Sequence, residues 1–246
     1  MIYLFTDFGY HGPYVGEVHA VLKRRMPEMP VIDLMHDAPV FNPQASSYLL
    51  AALAQRFQAG DVCLGVVDPG VGMQERRALL IEADGITYCG PDNGLFSQVV
   101  RRAHQVICHE ILWRPTELSN SFHGRDLFAA VVVRYLAGSE VPRQAMAIDG
   151  LHGMDWPTEN YSVIYFDQFG NAVTGIHGTS LTPDILLYVN ETKIHYARTF
   201  ATVPAGQLFW YINAMGLVEV AVNQGSAREK LAISLNFPVS VCKKTG

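Results

Sequence analysis

The sequence predicts an α/β N-terminal domain with a mainly parallel sheet, followed by a smaller all-β, barrel-like C-terminal domain. Three observations predict it. Up to about residue 140, short apolar runs alternate with longer segments of helical period, which is how parallel strands covered by helices read. Beyond about Gly153 the texture changes to short alternating segments rich in Tyr, Val, Ile and Thr, punctuated by Gly, Asn and Pro. Between the two, Asp149–Pro157 carries two glycines, a proline and little periodicity, as a linker does. The predicted domains are residues 1–152 and 153–246.

In chain order, the apolar run Ile2–Thr6 reads as the first strand, and Tyr14–Arg25 as the helix that follows it. Pro30–Leu34 is the next strand and Pro43–Arg56 the next helix. Val62–Val67 and Leu79–Glu82 follow as strands, with Asp84-Gly85 breaking the pattern as a hairpin turn. Leu95–Arg102 reads as a helix, Val106–Glu110 as a strand and Leu127–Leu136 as a helix. In the second half Tyr161–Phe166, Ile185–Val189 and Leu217–Val222 are the clearest strands. No internal repeat and no low-complexity tract interrupts this order.

Composition narrows the function classes. With 246 residues, 49% of them apolar, the chain has enough material for one large or two modest cores. Its 18 Lys and Arg against 23 Asp and Glu are scattered, so no basic patch exists to neutralise a run of phosphates, and nucleic acid is not an expected partner. Apolar runs all fall short of the ~20 residues of a membrane span, and Ile2 enters a strand without a basic leader. Cys63, Cys89, Cys108 and Cys242 show no paired spacing, which fits reduced thiols. The expectation is a cytoplasmic protein without membrane contact.

In open α/β sheets ligands bind outside the carboxyl ends of the strands, so polar residues just past strands come first. Asp7 follows the first strand in Thr6-Asp7-Phe8-Gly9, and Asp68 follows the third in Asp68-Pro69-Gly70-Val71-Gly72. An acid in such a place also serves to cap a helix or stiffen a turn. Gly70 and Gly72 permit a tight backbone, and Arg76-Arg77 come within reach of the same rim, where an acid and a guanidinium pair. His123, in Ser121-Phe122-His123-Gly124-Arg125-Asp126, sits before a helix start and is a side chain that takes a proton near neutral pH.

These strings, together with Gly90-Pro91-Asp92-Asn93-Gly94-Leu95 and Asp167-Gln168-Phe169-Gly170-Asn171, resemble the S-adenosyl-L-methionine hydroxide adenosyltransferases, relatives of the fluorinase and chlorinase. The five lie in register from residue 1 to about 241. The resemblance implies hydrolysis of S-adenosyl-L-methionine at the ribose C5′ to adenosine and L-methionine, with no further cofactor and no metal. It implies that Asp68, Arg76 and His123 orient and activate the attacking water. Met73-Gln74-Glu75 makes the loop one residue longer than the family spacing, so Arg77 stands as the rival to Arg76. It implies that Asp7 accepts the ribose hydroxyls, Phe41 stacks on the nucleoside, Phe169 and Asn171 frame adenine, and Asp167 holds the methionine ammonium group. It also implies a homotrimer with sites at subunit interfaces. Fluorinases carry no acid at the position of Asp68, and a carboxylate there repels a halide by several kcal/mol at low effective dielectric, so the residue favours water.

Three positions depart from the family pattern: Gly12 for an Asp near the ribose, Gly175 for an Asn, and Ala214 for a Ser that helps bind the methionine carboxylate. They motivate an alternative, a non-catalytic binder of nucleoside or S-adenosyl-L-methionine. A second alternative is a metal-dependent hydrolase using His11, His36, Asp37 and Asp92, although their spacing matches no metal motif. Without the register, Phe41 and Phe169 read as plain core packing, and Asp167 to Asn171 as a simple turn.

Overall fold

A computed structural model describes residues 1–73 and 75–243. Gln74, part of the lengthened Met73-Gln74-Glu75 loop, lies outside the described residues. The chain divides into two compact units, Met1–Trp156 and Pro157–Gly246.

The first unit holds β1 (Ile2–Thr6), α1 (Tyr14–Arg25), β2 (Val31–Met35), α2 (Pro43–Leu53), β3 (Val62–Val66), β4 (Ala78–Ala83), β5 (Ile86–Pro91), α3 (Ser97–Arg102), β6 (Val106–Ile111), α4 (Ala130–Leu136) and β7 (Arg143–Ala145). Its sheet runs β2-β1-β3-β5-β4-β6-β7. Pairings β1 with β2, β1 with β3 and β3 with β5 are parallel, while β5 with β4, β4 with β6 and β6 with β7 are antiparallel. Most strands therefore point one way, but the half of the sheet beyond β5 is mixed. The cause is local: Asp84 and Gly85 both take positive φ, 49° and 80°, as a tight primed turn requires, and fold β4 back on β5. That turn was legible in the sequence; Ile86–Pro91 and Arg143–Ala145 as strands were not.

Burial explains the pattern of the parallel strands. Every residue of β3 is buried, as expected of a central strand covered on both faces, and its side chains join those of α1 and α4 in one core with Leu22, Leu64, Phe128 and Val131. Asn42 caps α2 by accepting the Ala45 N–H at 3.0 Å, with Pro43 at the first helical position. A π-helical turn, Gly124–Ala129, leads into α4. Burial pushes the thiols of Cys63 and Cys89 far up and that of Cys108 up to about 11, so all three are packing groups. The segment before Pro157 is tied to the first unit, because the Arg101 guanidinium donates to the carbonyls of Met154 at 2.6 Å and Trp156 at 2.8 Å.

The second unit holds β8 (Asn160–Phe166), β9 (Ala172–His177), β10 (Ile185–Val189), β11 (Thr192–Ile194), β12 (Leu208–Ile212), β13 (Leu217–Val222), α5 (Ala227–Leu231) and β14 (Ser240–Lys243). They form antiparallel sheets ordered β12-β13-β9-β8 and β11-β10-β14. The core between them centres on Trp210, fully buried, with Ile176, Leu187 and Val220. No helix among the described residues is long and apolar enough to cross a membrane.

One glycine sets the spacing of the central strands. A Cβ on Gly90 of β5 would lie 2.1 Å from the Gly65 carbonyl of β3 and 2.8 Å from Phe96. Gly90→Ala is expected to lower stability by about 1–3 kcal/mol, read from the midpoint of chemical denaturation, because backbone rather than a flexible side chain must move.

Candidate active site

The carboxyl ends of β1, β2 and β3 lie side by side, and the loops leaving them carry Asp7, Phe41 and Asp68. The Asp68 side chain is 3% exposed, and the Arg76 guanidinium is its counter-ion, Nε to Oδ1 3.5 Å. The Gly70 N–H donates to the same Oδ1 at 3.2 Å. The other oxygen, Oδ2, is buried and accepts no hydrogen bond among the described residues. An orphaned carboxylate oxygen costs more than the ~1–3 kcal/mol of a neutral buried group, so the position selects for a donor brought by solvent or ligand.

The glycines of this loop have separate steric reasons. A Cβ on Gly70 would meet the Arg76 guanidinium at 1.8 Å, so the pair exists because residue 70 has no side chain. Gly72 takes φ +83°, and a Cβ there would lie 2.4 Å from the Asn120 carbonyl, so the loop rests on the segment leading to His123. Arg77 points elsewhere. Its Nε donates to Asp92 Oδ2 at 2.8 Å and its terminal nitrogen to the Gly150 carbonyl at 2.7 Å. Asp92, buried, also accepts the His152 N–H and lends its own carbonyl to Arg76 at 3.3 Å. Geometry thus separates the rivals: Arg76 faces Asp68, and Arg77 anchors the loop to Asp92. A cavity of about 550 Å³ opens beside them, lined by Met73, Glu75, Arg76, Asp92 and His152.

His123 is half-buried at the head of the π-helical turn, and among the described residues nothing hydrogen-bonds its ring. Its neighbours are fixed more firmly. Phe8 packs edge-on against Phe122 with centroids 5.5 Å apart, and a Cβ on Gly124 would come 2.9 Å from the Phe8 ring. Arg125 pairs with Glu17 and with Asp126. The Asp7 loop and the His123 loop are therefore packed on each other through Phe8, a residue to which the sequence reading assigned nothing.

Asp7 Oδ2 accepts the Phe41 N–H at 3.1 Å. Phe41 itself is 73% exposed with φ +57°, an outlier for an aromatic residue, so it is not core packing. Partial burial pushes the Asp7 carboxyl up, the Phe41 and Asp7 amides pull it down, and the charge on Asp68 pushes it up again; the net result lies above the usual carboxylate range.

In the second unit, Asp167 to Asn171 form the turn between β8 and β9. Asp167 Oδ1 accepts the N–H groups of Phe169 and Asn171, each at 2.9 Å, and Oδ2 accepts the Asn171 amide at 2.8 Å. This turn leaves the Asn171 Oδ1 buried without a partner among the described residues and Phe169 67% exposed. Both line a cavity of about 450 Å³ with Phe200, Val222, Gln224 and Gly225. Phe169, too, is not core packing.

Residues 2–145 match the model of the SAM hydroxide adenosyltransferase N-terminal domain, and residues 161–240 that of its C-terminal domain. The chain belongs to the SAM hydroxide adenosyltransferase family. A family relative named (R)-S-adenosyl-L-methionine hydrolase, from Thermus thermophilus, is 36% identical over 97% of this chain and 98% of its own. Another of that name, from Salinispora arenicola, is 34% identical over 93% and 92%. The crystal structure of an uncharacterized conserved protein from Thermotoga maritima superposes with a TM-score of 0.87 at 29% identity, covering 99% of this chain and all of that one.

Two of the three departures from the family pattern have steric accounts. Gly12 takes φ +104°, a conformation an Asp adopts only under strain, and a Cβ on Gly175 would lie 2.5 Å from that of Asn160, its partner on β8. Ala214 sits exposed in the turn that Asn213 Oδ1 closes by accepting the Met215 and Leu217 N–H groups. The set His11, His36, Asp37 and Asp92 is not assembled: His36 is buried against Thr6 and Asp33, and Asp92 against Arg77. Among the described residues no three His, Cys, Asp or Glu side chains are grouped to hold a metal ion.

Two measurements check this geometry. Gly70→Ala should displace Arg76 and leave Asp68 unpaired, lowering melting temperature and turnover together, whereas Arg77→Lys should affect stability first. For Asp7, a carboxyl raised in the fold adds stability that is present below its unfolded pKa and is lost as pH rises through the folded value. Asp7→Asn should therefore melt higher than wild type at neutral pH, with the difference closing in acid, as followed by thermal melts across that range.

Proposed function

We propose that the protein is a hydrolase that cleaves S-adenosyl-L-methionine with water at the ribose C5′, releasing adenosine and L-methionine. The observation that carries this reading is the buried Asp68 Oδ2, an acceptor without a partner among the described residues, on a carboxylate paired with the Arg76 guanidinium. A water donating to that oxygen is aligned and made more nucleophilic. Its oxygen forms a bond to C5′ as the C5′–S bond breaks, and the bonding pair stays on sulfur as a neutral thioether. The leaving group needs no acid, so the one proton released passes to His123 and on to solvent. Arg76 is the counter-ion that holds Asp68 in its buried position, and no metal or further cofactor is needed.

Asp7 takes the ribose hydroxyls and the exposed Phe41 ring covers the nucleoside; Phe169 and the free Asn171 oxygen take adenine, and Asp167 the methionine ammonium group. We further propose that the second domain is barrel-like and that the protein is a cytoplasmic homotrimer with sites at subunit interfaces and no nucleic-acid or membrane partner. The relatives' names specify the (R) epimer at sulfur, a preference we extend to this chain.

Pure protein incubated with each sulfonium epimer of the substrate, without added metal or halide, should yield adenosine and methionine in equal amounts, faster from the (R) form. Asp68→Ala and His123→Ala should each slow release by ~100-fold or more while adenosine still binds. Wild-type turnover in either variant would falsify the assigned mechanism, and nucleoside retained without any turnover would favour a binding protein.

A further inference from the structure

A second polar network joins the ends of β1 and β2, beside Asp7 in the chain. His36 follows β2 and is 1% exposed. Its Nε2 lies 3.1 Å from Asp33 Oδ1, and its Nδ1 lies 2.7 Å from the hydroxyl of Thr6, itself 1% exposed at the end of β1. The same Asp33 oxygen meets His19 Nε2 at 2.6 Å. Desolvation pushes the Asp33 carboxyl up, but the two histidine hydrogen bonds outweigh it and hold it below the usual range.

With the His36 ring neutral, these bonds have one order. An ionised carboxylate only accepts, so His36 Nε2 carries the hydrogen. In the neutral ring Nδ1 is therefore an acceptor, and the Thr6 hydroxyl donates to it. The Thr6 oxygen keeps its lone pairs and accepts the Phe8 N–H at 3.3 Å. Backbone bonds run alongside: the Gly9 N–H donates to the His36 carbonyl at 2.6 Å, and the Ala38 N–H to the Thr6 carbonyl at 3.1 Å. Thr6, Phe8 and Gly9, the three neighbours of Asp7 in its turn, are thus all tied to His36 and its loop. Phe8 in turn is the ring wedged between Phe122 and Gly124, on either side of His123.

We infer that His36 is the positioning residue of the site: acting through the Thr6 hydroxyl, its ring sets the Asp7 turn and, through Phe8, the loop of His123. The inference rests on the function proposed above for Asp7 and His123. With that ring neutral, the chain of carboxylate, imidazole and hydroxyl has one bonding pattern, which holds the turn in the geometry a substrate-binding carboxylate requires.

The test pairs disruptive with conservative variants. Thr6→Val keeps the shape but cannot donate, and His36→Leu removes the acceptor; each is expected to raise KM and lower kcat, together costing roughly tenfold in kcat/KM. Thr6→Ser and His36→Asn, whose amide oxygen takes the place of Nδ1, should restore most of both. Loss of folded enzyme would lower kcat and leave KM alone, so the rise in KM separates positioning from stability. Adenosine affinity by calorimetry should follow the same order without needing turnover, so an inactive wild type would defeat the hydrolase reading while still testing this one. Nitrogen NMR on the wild type should find His36 protonated at Nε2 alone. A hydrogen on Nδ1, or unchanged KM and adenosine affinity in Thr6→Val and His36→Leu, overturns the inference.

Discussion

The first unit is organised around a carboxylate kept out of water. Burying a charge costs several kcal/mol unless a counter-ion and hydrogen bonds compensate it, and Asp68 has one guanidinium, one amide and an unused oxygen. Most of the loop's features follow from that requirement. Gly70 is bare so that Arg76 fits. Arg77 and Asp92 pin the chain on either side so that Arg76 stays in place. A carboxylate only partly compensated by the protein holds electrostatic potential in reserve for whatever donor arrives.

Sequence alone carried the mostly parallel sheet of the first half, the all-β second half and most of the strand and helix positions, because apolar periodicity reports burial directly. It did not carry Ile86–Pro91 as a strand, since Gly90 and Pro91 blur the pattern and the pairing depends on a turn whose consequences are long-range. The candidate site residues were legible mainly as strings in register. The choice between Arg76 and Arg77 was not, because adjacent residues in a loop differ only in where the backbone turns, and that depends on Asp92, fifteen residues away from Arg77. Phe8 and Thr6 were hidden in plain sight, within a string read for its acid.

The second unit applies a different economy. Asp167 donates nothing and accepts from two backbone amides and the Asn171 side chain, so both its oxygens already shape the turn. The simple-turn reading and the binding reading of this segment are therefore compatible: the same bonds that build the turn present Phe169 to solvent and leave Asn171 with one unspent acceptor. Rigid presentation of an aromatic face and a single acceptor lowers the entropic cost of binding a flat heterocycle.

The π-helical turn at Gly124–Ala129 has a consequence of its own. Such a turn carries one residue more than an α-helical one, and each residue of a helix advances the chain by about 100° around the axis. The angular offset between His123 and the core-facing Leu127 and Phe128 is thus encoded in chain length and not in any side chain. Alanine scanning would pass over it, since every substituted helix keeps the count. A one-residue deletion probes it.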